Sequence, residues 1–293
     1  MTLRLLAVHA HPDDESSKGA ATYAHYASLG ARVLVVSCTG GEAGDVQNPQ
    51  LDALAMAMAE RDMGGLRRIE MAGAQKAMGI EHRWLGYADS GLPESDEETV
   101  RDDSFAAIPL EISGQPLVKI MREFRPHVLI SYDENGGYPH PDHIRAHQIA
   151  IWAKEKAADA TAHPELGAPW TISKLYYDRI FNSQKVNAVY QELLRRSPDS
   201  ELVADFARMI EWMGERGPLP TTRVPVSEFF GVRDAALRSH ASQVPLDSRH
   251  FYWPNDVQTA AWPTEDFDLI ESLVPTELPE TDLFAGITDE ETP

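Results

Sequence analysis

The chain has 293 residues, with 26 Lys and Arg against 46 Asp and Glu, a formal net charge of −20. That charge repels nucleic-acid backbones and anionic membrane surfaces, so neither is expected as a partner. A single cysteine, Cys38, excludes an intramolecular disulfide framework and suits a reducing compartment, expected to be the cytoplasm.

Leu3–Ala10 is an apolar run that reads as a buried strand, followed by a helix over Ser16–Leu29 closed by Gly30. Ala31–Thr39, rich in Val, is a second strand. Leu51–Met78 is helical, with a kink expected near Gly64-Gly65 and Gly79 at its end. Arg83–Tyr87 is a weaker third strand, Ile112–Phe124 a helix, His127–Tyr132 a fourth strand and Asp142–Ala158 the next helix. This alternation predicts a parallel sheet with right-handed crossovers, an α/β fold of doubly wound, mostly parallel, Rossmann-like layout. No G-x-G-x-x-G follows the first strand; His9-Ala10-His11-Pro12-Asp13-Asp14-Glu15 holds that place, so the nucleotide fingerprint is absent.

After Pro169 the pattern loosens. Lys174–Ile180 and Thr222–Val226 read as strands, and Val186–Arg196, Glu201–Met213 and Glu228–His240 as helices. From Thr276 onward the chain has six acidic residues and no basic ones, which reads as a surface-wrapping or frayed tail. The expectation is a single catalytic domain over 1–293, with a Rossmann-like metal-binding core (1–165), a C-terminal α/β elaboration (166–275) and the acidic tail (276–293). No apolar window approaches the length of a membrane span, and the apolar start is too short for a leader.

Two constellations stand out among eleven scattered histidines. One is His11-Pro12-Asp13-Asp14-Glu15 after the first strand; the other is Tyr138-Pro139-His140-Pro141-Asp142-His143 after the fourth. In a doubly wound sheet of order 3-2-1-4, strands one and four are neighbours at the switch point where ligands bind. The two loops therefore converge. His11, Asp14 and His143 supply two imidazoles and one carboxylate, a set suited to zinc or another first-row divalent ion with a position left for water. Asp13 is then spare to take a proton from that water, and His140 is spare as a donor, with Asp142 holding its ring. The bland alternative makes each motif a proline turn whose aspartate caps the next helix. A non-haem iron oxygenase would use the same facial triad, and a non-catalytic sugar-binding protein could share the scaffold.

His-Pro-Asp-Asp-Glu at 11–15 and His-Pro-Asp-His at 140–143 resemble the GlcNAc-phosphatidylinositol deacetylase, or LmbE-like, family of zinc-dependent amide hydrolases. Longer blocks at 9–21, 132–145, 169–177 and 280–286 carry the resemblance along nearly the whole chain, whereas 46–65 and 182–218 match less well. The resemblance implies one Zn2+ per chain (Fe2+ as the alternative) on His11, Asp14 and His143, with Asp13 as general base. It implies His140 as general acid or oxyanion partner oriented by Asp142, and Tyr138 as a mobile tyrosine beside the oxyanion. Arg67 and Asp89 fall on sugar-binding positions, Arg68 being an equally good register, and Asp45 on the inositol end. Lys18 stands where branches of the family differ and would read substrate, and His240 matches a late block near the site. The implied partner is a small thiol–sugar conjugate split at its amide; a sister branch deacetylates the sugar instead.

Overall fold

The computed structural model describes residues 2–93, 99–179, 182–214 and 218–288. In chain order its strands are β1 (Arg4–His9), β2 (Arg32–Thr39), β3 (Glu81–Tyr87), β4 (Val128–Ser131), β5 (Lys174–Asp178), β6 (Thr222–Pro225) and β7 (Thr264–Ser272). The helices are α1 (Asp14–Ser17), α2 (Ala20–Ser28), α3 (Ala53–Met78), α4 (Leu110–Ser113), α5 (Gln115–Phe124), α6 (Pro141–Ala158), α7 (Ser183–Arg196), α8 (Glu201–Met213), α9 (Phe230–Ser239) and α10 (Asn255–Ala261). One sheet runs in the order β3-β2-β1-β4-β5-β7-β6, and β1 to β5 are parallel. β7 runs antiparallel to both β5 and β6. The expected order of the first four strands is present, and the elaboration continues the same sheet.

Alternation along the central strands assigns the two faces. Leu6 and Val8 of β1 join Leu34, Val36 and Leu129 under α5 and α6. Leu5 and Ala7 join Val33, Val35, Val128 and Ile130 under α2, α3 and α9. A third cluster, built on Val189, Leu193, Phe206 and Trp262, holds α7, α8 and α10 together. Among the described residues no helix is long and apolar enough to cross a membrane.

Three details depart from the expectations, and a fourth is placed more closely. The helix over Ser16–Leu29 is broken between α1 and α2 at Gly19, whose φ is 153°. The kink in α3 expected near Gly64-Gly65 is present and centres on Asp62; its Oδ1 accepts the Gly65 N–H at 2.8 Å, starting a new helical segment. β7 and α10 were not expected. The acidic opening of β7 hides its strand character, because those acids serve neighbours: Glu265 accepts the Thr22 N–H at 2.8 Å, capping α2, and Asp266 accepts from Trp262 and Asn182. Finally, the tail is not frayed through residue 288: Leu283 and Phe284 are core, and Glu280 is buried. Ile180, the expected end of the fifth strand, and 289–293 lie outside the described residues.

Candidate active site

β1 ends in His9, buried between the hydroxyls of Tyr23 (3.0 Å) and Tyr132 (3.4 Å). The chain then turns through Asp13, whose φ of 127° is a strained value for a residue with a Cβ. Asp14 Oδ2 accepts the His11 N–H at 2.9 Å and the Tyr132 hydroxyl at 2.8 Å. The same hydroxyl accepts the Ala10 N–H at 2.9 Å. A tyrosine just past β4 thus fastens the loop after β1, which is how two distant segments become one site.

The loop after β4 is wound around Asp133, whose Oδ1 accepts the N–H groups of Asn135 (3.0 Å) and Gly137 (2.8 Å). Gly136 has φ +74°, and a Cβ there would stand 2.6 Å from the His143 Cβ, so the position requires glycine. Its carbonyl accepts from His143 Nδ1 at 2.9 Å. That bond puts the ring proton on Nδ1 and leaves a lone pair on Nε2. His143 Nε2 is buried, has no hydrogen-bond partner, and lies 3.4 Å from Asp14 Oδ2. The aspartate-cap alternative fails in both loops. Asp13 precedes α1 without a side-chain cap bond, and α6 is capped by His140, whose Nδ1 accepts the Asp142 N–H at 3.1 Å.

Donor atoms of His11, Asp14 and His143 all lie within 4.8 Å of one another, and so do those of His11, Asp89 and His140. The first set contains the orphaned nitrogen, an observation that fits a cation as the missing partner. The electrostatics agree. Burial opposes a charged His11, but hydrogen bonds to Asp142 and Asp89 and the charge of Asp14 lift it to about 10, because the surrounding carboxylates favour positive charge at this point. Burial also opposes ionisation of Asp14, and its basic neighbours His143, Lys18 and His11 outweigh it, holding the carboxylate well below its usual range. Burial keeps the His143 imidazole neutral, at about 3.

Asp13 is the carboxylate that opens to the cleft: its side chain is 26% exposed, with Oδ2 bonded by Arg67 Nη2 at 2.8 Å. Burial raises its pKa against the pull of Arg67, a direction that favours a base. His140 stands edge-on to His11, centroids 4.7 Å apart, and burial together with the charge of His11 lowers its pKa. Tyr138, 40% exposed at the mouth, lies 4.5 Å from the His143 ring, and burial pushes its phenol up to about 12. Asp142 differs from expectation. Its carboxylate meets the Ser90 N–H (2.9 Å), the Ser90 hydroxyl and His11 Nε2 (3.3 Å), so it touches His140 through its backbone and His11 through its side chain.

The structure sorts the expected substrate residues. Lys18 is buried rather than solvated; its ammonium pairs with Asp14 and lines the cleft with Asp13 and Tyr138. Arg67, not Arg68, belongs to the site. Its guanidinium donates to Gly41 O (2.9 Å), Pro12 O (2.6 Å) and Asp13, leaving it a brace for Asp13, while Arg68 is exposed over Trp84. Gly41 makes room for that brace, since a Cβ there would meet Arg67 Nη1 at 2.0 Å. Asp89 is buried with Oδ1 3.6 Å from His11 Nε2. Asp45 is exposed and reaches the cleft wall through its carbonyl, which accepts from Gln243 at 3.1 Å. His240 does not line the cleft: it is fully buried and bonds Glu15 Oε1 at 2.7 Å, and Glu15 Oε2 accepts the Asp13 N–H at 2.9 Å. It therefore acts on the strained turn from behind. Sequence reasoning also missed Tyr132, Ser90 and Glu15 as organisers; only their adjacency to the motifs or to a strand end marked them.

Residues 6–154 match the model of the GlcNAc-PI de-N-acetylase (PIG-L) family. The chain is 46% identical over 290 residues to the mycothiol S-conjugate amidase of Streptomyces coelicolor, covering 98% of each. It is 40% identical over 297 residues to a 1D-myo-inositol 2-acetamido-2-deoxy-alpha-D-glucopyranoside deacetylase of Streptomyces avermitilis, covering 97% of each. Among solved structures, an N,N′-diacetylchitobiose deacetylase from Pyrococcus horikoshii superposes with TM-score 0.60 at 18% identity, over 91% of this chain and 83% of that one. A 4-carboxy-2-hydroxymuconate hydratase from Pseudomonas putida gives 0.58 at 15% identity, over 94% of this chain and 100% of that one, so the fold by itself fixes no reaction. Taken with the matched family model and the full-length relatives, the two converging loops place this chain in the GlcNAc-PI de-N-acetylase family.

Proposed function

We propose that the chain is a zinc-dependent amidase that cleaves the bond between cysteine and glucosamine in mycothiol S-conjugates. The products are a mercapturic acid and glucosaminyl-inositol, a detoxification step. The observation that carries the reading is the meeting of the buried, unpartnered His143 Nε2 with Asp14 and His11 beside a cleft-facing Asp13. His11, Asp14 and His143 are the residues that would hold the ion, and two imidazoles with one carboxylate suit zinc, with Fe2+ as the alternative. Bound there, the ion supplies Lewis acidity toward the amide carbonyl and makes water more acidic.

The protein's own groups do the rest. Asp13, fixed by Arg67, takes a proton from the attacking water as the new C–O bond forms. His140 has Nδ1 occupied by the Asp142 N–H, which leaves Nε2–H to donate to the developing oxyanion or to the departing amine. The Tyr138 phenol, at the mouth, can swing its O–H toward the same oxygen. Breaking the C–N bond passes the proton held by Asp13 to the amine nitrogen, and the second water proton then leaves the new carboxyl group for the amine or solvent, so the acyl half departs as a carboxylate.

The test is an amine-release assay on a mycothiol–bimane conjugate beside the acetylated sugar N-acetylglucosaminyl-inositol, with metal analysis of the same sample. Faster turnover of the conjugate is expected. Turnover of the acetylated sugar alone would make the chain the deacetylase of mycothiol biosynthesis; oxygen consumption with a 2-oxoacid and no amine release would overturn hydrolysis altogether.

A further inference from the structure

Beside the cleft of about 450 Å3 over Asp13 and Asp14 lies a larger chamber of about 520 Å3, a size that suits a drug-sized organic group. The two share Ser17, Lys18, Leu237, His250 and Phe251 as a common wall, so the chamber is a side room of the cleft. Its far side is apolar, made by Met209, Trp212 and Met213 of α8 with Trp253. Trp212 is 72% exposed at the rim. Charged side chains share the rest of the lining, Lys18, Lys185, Arg233 and Glu265 among them. Asp178, the last residue of β5, has both carboxylate oxygens buried without a hydrogen-bond partner. A buried carboxyl in that condition costs free energy until something brings it a donor.

The order of the sheet gives the chamber a direction. Arg67 and Asp89 lie toward α3 and the end of β3, whereas the chamber lies over the end of β5 and the start of β7, with β2, β1 and β4 between. A sugar lying toward Asp89 therefore points the acyl half of the amide at the chamber. An acetyl group would leave that room unused. The acyl half of an S-conjugate carries an organic substituent on sulfur and an acetamido N–H one carbon from the carbonyl, which answers both the apolar wall and the unpartnered Asp178 carboxyl.

Building on the amidase reading, we propose that this chamber receives the acyl half of the substrate. The sulfur substituent packs on Trp212, Met209, Met213 and Phe251, and Asp178 accepts the acetamido N–H. These residues then set which conjugates are cleaved.

The test compares kcat/KM for S-benzyl and S-methyl mycothiol in the wild type, Met209→Trp, which fills the chamber, and Trp212→Ala, which removes part of its wall. The benzyl-to-methyl ratio is expected to fall at least about 10-fold in the filled variant and by less in the opened one. Ratios within about twofold of wild type in both overturn the proposal. Independently of turnover, S-benzyl-N-acetylcysteine is titrated against tryptophan fluorescence, with Asp178→Ala expected to weaken binding about 10-fold. Absence of saturable quenching in the wild type overturns the chamber. Inactivity toward both conjugates with quenching intact instead overturns the amidase reading and leaves the chamber standing.

Discussion

The two ends of the sheet handle buried charge in opposite ways. At the N-terminal ends of β5 and β6, Lys174 is fully buried; its ammonium donates to Glu280 (2.7 Å) and to Ala285 O (3.1 Å). Glu280 also accepts from the hydroxyls of Tyr176 and Thr222. Every arm of that pair is answered, and the result is mechanical: the acidic tail is pinned across the sheet. At the C-terminal ends of β1, β4 and β5 the charges are as dense but incompletely answered. His143 Nε2 and both Asp178 oxygens lack partners, and Asp13 is held at a strained φ. Buried polar clusters are stable when complete, so one left incomplete is where a ligand finishes the set.

That contrast can be broken experimentally. His143→Ala should abolish both metal retention and amide hydrolysis while the protein still folds; full metal content by elemental analysis would remove His143 from the centre. Asp13→Asn should keep the metal yet lower kcat by about 10²- to 10⁴-fold, with little change in the thermal midpoint. Normal turnover would end the assignment of Asp13 as base. At the other end the pattern reverses. Glu280→Ala strands a buried lysine and should cost about 3–5 kcal/mol of stability, read as a lowered denaturation midpoint, with metal content of the folded fraction unchanged.

The smallest effect depends on pH. Burial pushes the Asp178 carboxyl up to about 8, above its unfolded value, so the folded state holds that proton more tightly than the unfolded chain does. Its contribution is therefore complete below about pH 4 and is lost as pH rises toward 8. Asp178→Asn should match the wild type in thermal melts near pH 4 and gain about 1–3 kcal/mol over it by pH 9. A gap that stays constant across this range would show that Asp178 does not ionise in the fold.

Much of this was legible in the sequence because the chemistry-bearing residues sit just past apolar strands. Strand order then brings His11 and His143 together, whatever the side chains do. What the sequence hid is who holds whom. Asp142 reaches His11 rather than His140 because the first turn of α6 points its carboxylate toward Ser90. His240 reads like a site residue but lies beneath α1, and only the packing of α9 against that helix reveals it. Arg67 and Arg68 are indistinguishable by composition, yet one faces the core and the other solvent, a single helical position apart. β7 went unseen because its acids are spent on capping α2 and on Trp262. The chamber was out of reach for a similar reason, being assembled from β5, α8, α9 and the loop around Phe251, with no shared motif.

On the proposed reading, the orphaned nitrogen of His143 marks a cation shared with His11 and Asp14. Anomalous diffraction at the zinc edge, from crystals grown with zinc, tests it most directly. One strong peak bounded by His11, Asp14 and His143 is expected. A peak on the rival set of His11, Asp89 and His140, or none between the two loops, would contradict it.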